Sequence, residues 1–268
     1  AHLDSNPQTD EDERVVAMPT ARSEVMQPQR SQTLAERIAV RRAFLVDYQN
    51  EVLASRYDQM IERVRAAESR VRPTGDALAA AVADSYFKLL AVKDEYEVAR
   101  LFSNRPAGVG LDFAAKLGGQ FERGFKTTFH FAPPFLTRRG ADGRPRKIAV
   151  GGWFSPVLRV LARLRWLRGT ALDPFRYTAE RRLEKELVRT FEADVDTLVE
   201  SFDETNYESW VALAELPAEI RGFGPVKQTA ARAAFAERTR LLADITAESL
   251  SASTANGHAP RIREEEVA

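Results

Sequence analysis

Cysteine is absent from all 268 residues. That excludes disulfides, cysteine-ligated Fe–S clusters and a thiol nucleophile from this chain. It agrees with a reducing, cytoplasmic setting. Histidine is scarce: His2, His130 and His258 stand far apart, so a His-rich metal site is not expected. Neither charge is in excess, with 39 Lys+Arg against 39 Asp+Glu. Net charge therefore gives no pull toward nucleic acid or a membrane surface. No apolar run reaches the ~18 residues that suggest a membrane span. Residues 1–30 are polar and acidic rather than a signal peptide. Nucleophile elbow, metal-ligand spacing, paired carboxylates and a glycine-rich nucleotide loop are also missing. The first residue is Ala1 rather than Met, which suggests a processed or truncated piece of something longer.

What is present reads as helix. Hydrophobic residues make up 44% and charged residues 29%, enough for a real core with solvated faces. Residues 1–32, with the run Asp10-Glu-Asp-Glu13, read as a disordered linker or tail. Order starts at the capping box Thr33-Leu-Ala-Glu36. Leu34, Ile38, Leu45, Tyr48, Leu53, Tyr57 and Val64 keep helical spacing to about Arg70, with room for one bend. The opposite face carries Arg37, Arg41, Arg42, Glu62, Arg63 and Arg65 and reads as solvated or as a docking surface. A second helix is expected over 75–102, with a Lys93→Glu97 pair. A short helix follows over 111–121.

The period then changes to two. Phe125, Thr127, Phe129 and Phe131 alternate with Lys126, Thr128 and His130, which predicts a strand. Lys147-Ile-Ala-Val150 is its partner, and Asp142-Gly143 gives a turn signal. A hairpin near 125–150 with a long basic loop is predicted. Arg138, Arg139 and Arg144 in that loop are weak candidates for a phosphate-bearing cofactor or an acidic partner. Ser155-Pro156 opens a helix with Arg159, Arg163 and Trp166 along it.

The best-marked junction is Arg168–Leu187. Gly169 stops one helix, and Asp173-Pro174 has the signature of a helix start. Leu183, Leu187, Phe191, Val195, Leu198 and Phe202 then define an amphipathic helix. Thr205-Asn-Tyr-Glu208 reads as another capping box. Gly222, Gly224 and Pro225 make a tight connection to an Ala-rich helix over 226–245. Lys227 on it is a weak ligand-binding candidate, since no strand precedes the loop. From Ala247 the chain reads as a disordered tail. The fold class is thus mainly α: a multi-helix domain over 33–246 with one small β-hairpin and disordered ends. No catalytic residue and no metal ligand can be assigned.

Four separated blocks change the functional expectation: Asp84–Leu101, His130–Pro134, Leu167–Arg182 and Leu216–Lys227. In this order they resemble the C-terminal region of the fused indolepyruvate ferredoxin oxidoreductases. Ala39–Asn50 is similar to the segment joining that region to the preceding gamma-type domain. The resemblance covers about 33–245. It implies a 2-oxoacid:ferredoxin oxidoreductase that decarboxylates aryl 2-oxoacids on thiamine diphosphate, passes electrons through Fe–S clusters to ferredoxin, and forms acyl-coenzyme A. Those cofactors belong to upstream domains; none is expected on this chain. The implied partners are the catalytic and gamma-type domains, and ferredoxin. No nucleic acid or membrane partner is expected. Alternatively, the chain is a free-standing helical interaction module without oxidoreductase activity.

Overall fold

The computed structural model describes residues 33–103, 128–131 and 148–255. They lie in one compact unit that begins at Thr33. Helix α1 (Leu34–Tyr48) starts as expected: Glu36 N donates to Thr33 Oγ1 (3.3 Å) and Thr33 N to Glu36 Oε2 (2.8 Å). The expected bend is a full break. Asn50 Oδ1 accepts from Leu53 N (3.0 Å) and caps a new helix, α2 (Glu51–Val71). α2 folds back on α1, so that Arg42 reaches both Glu51 and Asp58. Arg41 pairs with Asp84, while Glu62, Arg63 and Arg65 are exposed as a solvated face would be, with Arg63 pairing at the surface with Asp196.

The single helix expected over 75–102 is two, α3 (Ala77–Leu90) and α4 (Glu95–Ser103). Asp94 makes the break: its Oδ1 accepts from Glu97 N at 2.7 Å, a helix start in its own right. The break also removes the expected Lys93–Glu97 pair, and Glu97 pairs with Arg100 at 2.7 Å. Strands β1 (Thr128–Phe131) and β2 (Ile148–Gly151) pair antiparallel, with Phe129 opposite Val150. The expected helix over 111–121 and the hairpin loop lie outside the described residues.

A 3-10 turn (Gly152–Phe154) runs directly into α5 (Ser155–Arg163). Phe154, already helical, takes the cap position expected for Ser155. α6 (Ala179–Ser201) begins at Thr178, five residues beyond Asp173. α7 (Tyr207–Glu215) lacks the expected capping box. There Thr205 Oγ1 turns to Asp203 (2.5 Å), while Asn206 Oδ1 accepts from Asp203 N (3.0 Å). Gly222 (φ 93°) and Gly224 (φ 56°) take left-handed conformations before α8 (Pro225–Ala255). α8 continues past the expected end at 246. Its last turns are held by α7 and the turn before it: Asn206 Nδ2 donates to Ser249 Oγ (3.2 Å) and Ser209 Oγ to Glu248 (3.0 Å).

The protein is therefore mainly α, with a small antiparallel hairpin. The main core joins α1, α2, α3, α6, α7 and α8 around Tyr57, Tyr86, Phe191, Leu198 and Trp210. Tyr86 bridges Tyr57 and Phe191 by stacking, with ring centres 6.2 and 5.9 Å apart. α5 does not join it. Leu158 and Ala162 pack instead with Ala99 of α4 in a small second core.

Candidate functional site: the Arg168 junction

Gly169 ends a 3-10 turn (Leu164–Leu167) at φ 78°, a conformation open to glycine at no steric cost. Asp173 then performs a task other than helix capping. Its side chain is buried, and the loop folds around it. Oδ2 accepts from Gly169 N (2.8 Å), and Oδ1 accepts from Phe175 N (3.0 Å) and the Tyr96 hydroxyl (3.1 Å). The helix start falls to Thr178, whose hydroxyl accepts from Arg181 N at 3.3 Å.

Arg168 is the centre of the junction. Its guanidinium holds Asp94 through both Nε (2.5 Å) and Nη2 (2.9 Å), the bidentate fork that Arg alone can make. Nη1 donates to the Tyr48 carbonyl at 2.6 Å. The guanidinium carbon lies 3.7 Å from the Tyr48 ring centre and 5.6 Å from that of Tyr96. The Asp94 side chain is only 3% exposed. Beside it, Arg181 donates to Glu95 (2.9 Å) and Glu184 (2.5 Å), and Lys227 reaches Glu184 at 2.6 Å. Alternating charges thus link α4, α6 and α8.

Lys227, a candidate for cofactor binding, is therefore committed to an internal ion pair. Arg138, Arg139 and Arg144 lie outside the described residues. His130 is in β1, opposite Ala149. Among the described residues no group of His, Asp or Glu is arranged to hold a metal ion, and no helix is long and apolar enough to cross a membrane. A hollow lined by Leu187, Phe191, Leu213, Ile220 and Phe235 has about 40 Å³. That is room for a water or two rather than an organic substrate.

A protein-family profile described only as a family of unknown function, DUF6537, matches residues 34–240. The chain belongs to this family. No curated protein and no solved structure matches it. The matched DUF6537 region contains every residue of the junction network, from Tyr48 to Lys227.

Sequence reading of this DUF6537 domain missed Asp94 as a break. The signal was there: Asp94-Glu-Tyr-Glu97 has the acidic-cap spacing of a helix N-terminus. The apolar stripe running through it hid the break.

Five tyrosines of the domain are buried: Tyr48, Tyr57, Tyr86, Tyr96 and Tyr207. Burial pushes the phenols of Tyr57 and Tyr207 up to about 12, with the hydrogen bond to Glu68 adding at Tyr207. Burial also raises those of Tyr48, Tyr86 and Tyr96, helped by Asp94, Glu192 and Asp173 respectively. A folded value above the unfolded one favours the neutral phenol in the native state. Its contribution is complete below pH 10 and disappears as pH rises through about 12. Stability measured against pH is expected to hold up to about 10 and fall above it. Tyrosinate absorbance of these five should appear with unfolding. Ionisation of all of them near pH 10 in an intact fold would contradict the burial argument.

Proposed function

We propose that this domain is a non-catalytic accessory segment of an indolepyruvate ferredoxin oxidoreductase-like enzyme, packed on its catalytic and gamma-type domains. The observation that carries this reading is where four of the five resembling segments meet, all but His130–Pro134. Ala39–Asn50 supplies Tyr48. Asp84–Leu101 supplies Asp94, Glu95 and Tyr96. Leu167–Arg182 supplies Arg168, Asp173 and Arg181, and Leu216–Lys227 supplies Lys227. Segments up to 179 residues apart (48 to 227) converge on one ion network. What the blocks share is architecture.

The chemistry supports the same conclusion. Among the described residues, each buried carboxylate (Glu68, Asp94, Glu97, Asp173, Glu184 and Asp194) accepts hydrogen bonds from its own chain. Asp194, which borders the small hollow, is held by Arg238, and each of these six is engaged in this way rather than poised as a general acid or base. In this reading thiamine diphosphate, the Fe–S clusters and the coenzyme A site belong to the partner domains, and ferredoxin docks to the assembled enzyme.

The test is recovery from native extract with a tagged full chain. A polypeptide bearing thiamine-binding and gamma-type domains is expected to co-purify, with aryl 2-oxoacid-dependent ferredoxin reduction. Absence of such a polypeptide both from the eluate and from the neighbouring coding sequence would overturn the reading.

A further inference from the structure

α5 has two faces. Leu158 and Ala162 turn inward, 3% and 8% exposed, against Ala99 of α4. The outward stripe is unusual for a solvated helix. Trp153, Val157, Val160 and Trp166 are 72%, 46%, 57% and 59% exposed. With Arg163 they recur at steps of four, three, three and three, which keeps them on one arc through α5 and the 3-10 turns at its ends. Single exposed apolar residues are ordinary, but a contiguous stripe with two tryptophans marks an interaction site.

Charge narrows the partner. The charged side chains of α5 are both cations, Arg159 and Arg163, and no acid stands between Gly143 and Leu172. Arg159 and Arg163 are exposed beside the stripe and form no ion pair with a described residue. From Gly152 to Leu172 the cations are all Arg, and Lys is absent. Trp and Arg enrichment with Lys depletion is the composition of protein interfaces. A lipid surface would be served equally by Lys, and by a longer apolar face than these nine residues provide.

We infer that the outer face of α5, framed by Trp153 and Trp166, docks an acidic, partly apolar protein surface. Resting on the functional reading above, that surface belongs to the catalytic and gamma-type domains. The Trp rings and valines fill apolar depressions there, and Arg159 and Arg163 pair with carboxylates at the rim.

The experiment titrates the full chain against separately produced catalytic and gamma-type domains from the same organism, at about 0.05 M and about 0.5 M salt. Binding is expected to weaken with salt. It should fall about tenfold or more in V157D/V160D and in R159E/R163E, and stay unchanged in V52D, at an exposed site on α2. Circular dichroism verifies that each variant is folded. Wild-type binding that survives both face variants overturns this surface while leaving the functional reading in place. No wild-type binding overturns both. Association with phosphatidylserine–phosphatidylcholine vesicles that is lost in V157D/V160D assigns the face to lipid and also overturns the proposal.

Discussion

Arg168→Met is expected to destabilise the protein by about 3–5 kcal/mol, the usual cost of removing one partner from a buried ion pair. The reason lies in what remains. The Asp94 side chain, 3% exposed, loses both guanidinium bonds and keeps only the Glu97 amide. The Tyr48 carbonyl loses its donor, and the cation leaves the faces of Tyr48 and Tyr96. Arg168→Lys keeps the charge but not the fork, and should fall between the two. The double variant R168M/D94N removes the stranded charge and retains an amide oxygen able to cap α4. It should be less destabilised than R168M alone, giving a coupling energy in a double-mutant cycle. Urea unfolding with an unchanged m-value is the measurement. An R168M variant within about 1 kcal/mol of wild type would mean that the clamp contributes little beyond a surface ion pair.

The second large effect is at Glu68, a carboxylate 1% exposed on α2. It caps a helix that is not its own. Asp76, at the start of α3, makes no side-chain cap. Glu68 takes that role across the structure, accepting from Leu78 N (3.0 Å) and Ala79 N (2.9 Å). It also accepts from the Tyr207 hydroxyl at 2.7 Å, so one carboxylate fixes α2, α3 and α7 together. Glu68→Ala strands three buried donors. At about 1–3 kcal/mol for each unsatisfied group, a loss of about 4 kcal/mol is expected. Tyr207→Phe removes only the hydroxyl and should cost about 1 kcal/mol. Hydrogen exchange gives an independent check, because the Leu78 and Ala79 amides should lose protection in E68A before the rest of α3. Undiminished protection at these two amides would sink the capping argument.

Both residues show what a one-dimensional reading passes over. Glu68 looks like one more polar position on an amphipathic helix. Arg168 looks like one more arginine in a basic stretch. In the folded protein the junction arginines reach acids at the start of α4, Arg168 pairing with Asp94 and Arg181 with Glu95. The partners of Glu68 lie 10, 11 and 139 residues away and carry no periodic signature.

By itself the sequence determined the class of the fold and most of its helical faces. Apolar spacing is a local property, so Leu187, Phe191, Val195 and Leu198 could be placed on one buried stripe without a structure. The same holds for the Thr33 cap and for the period-two segments that pair as β1 and β2. Tertiary structure decided where helices break and what their charges do. At Asn50 and Asp94 the apolar pattern runs on while the backbone turns, because a single side-chain cap together with packing outweighs continued helix propensity. At Asp173 the opposite happened. A sequence with every mark of a helix start became a loop, because burial left its carboxylate to be satisfied by Gly169, Phe175 and Tyr96. Periodicity is set by neighbours along the chain, but the partner of a buried charge is set by the elements that close over it.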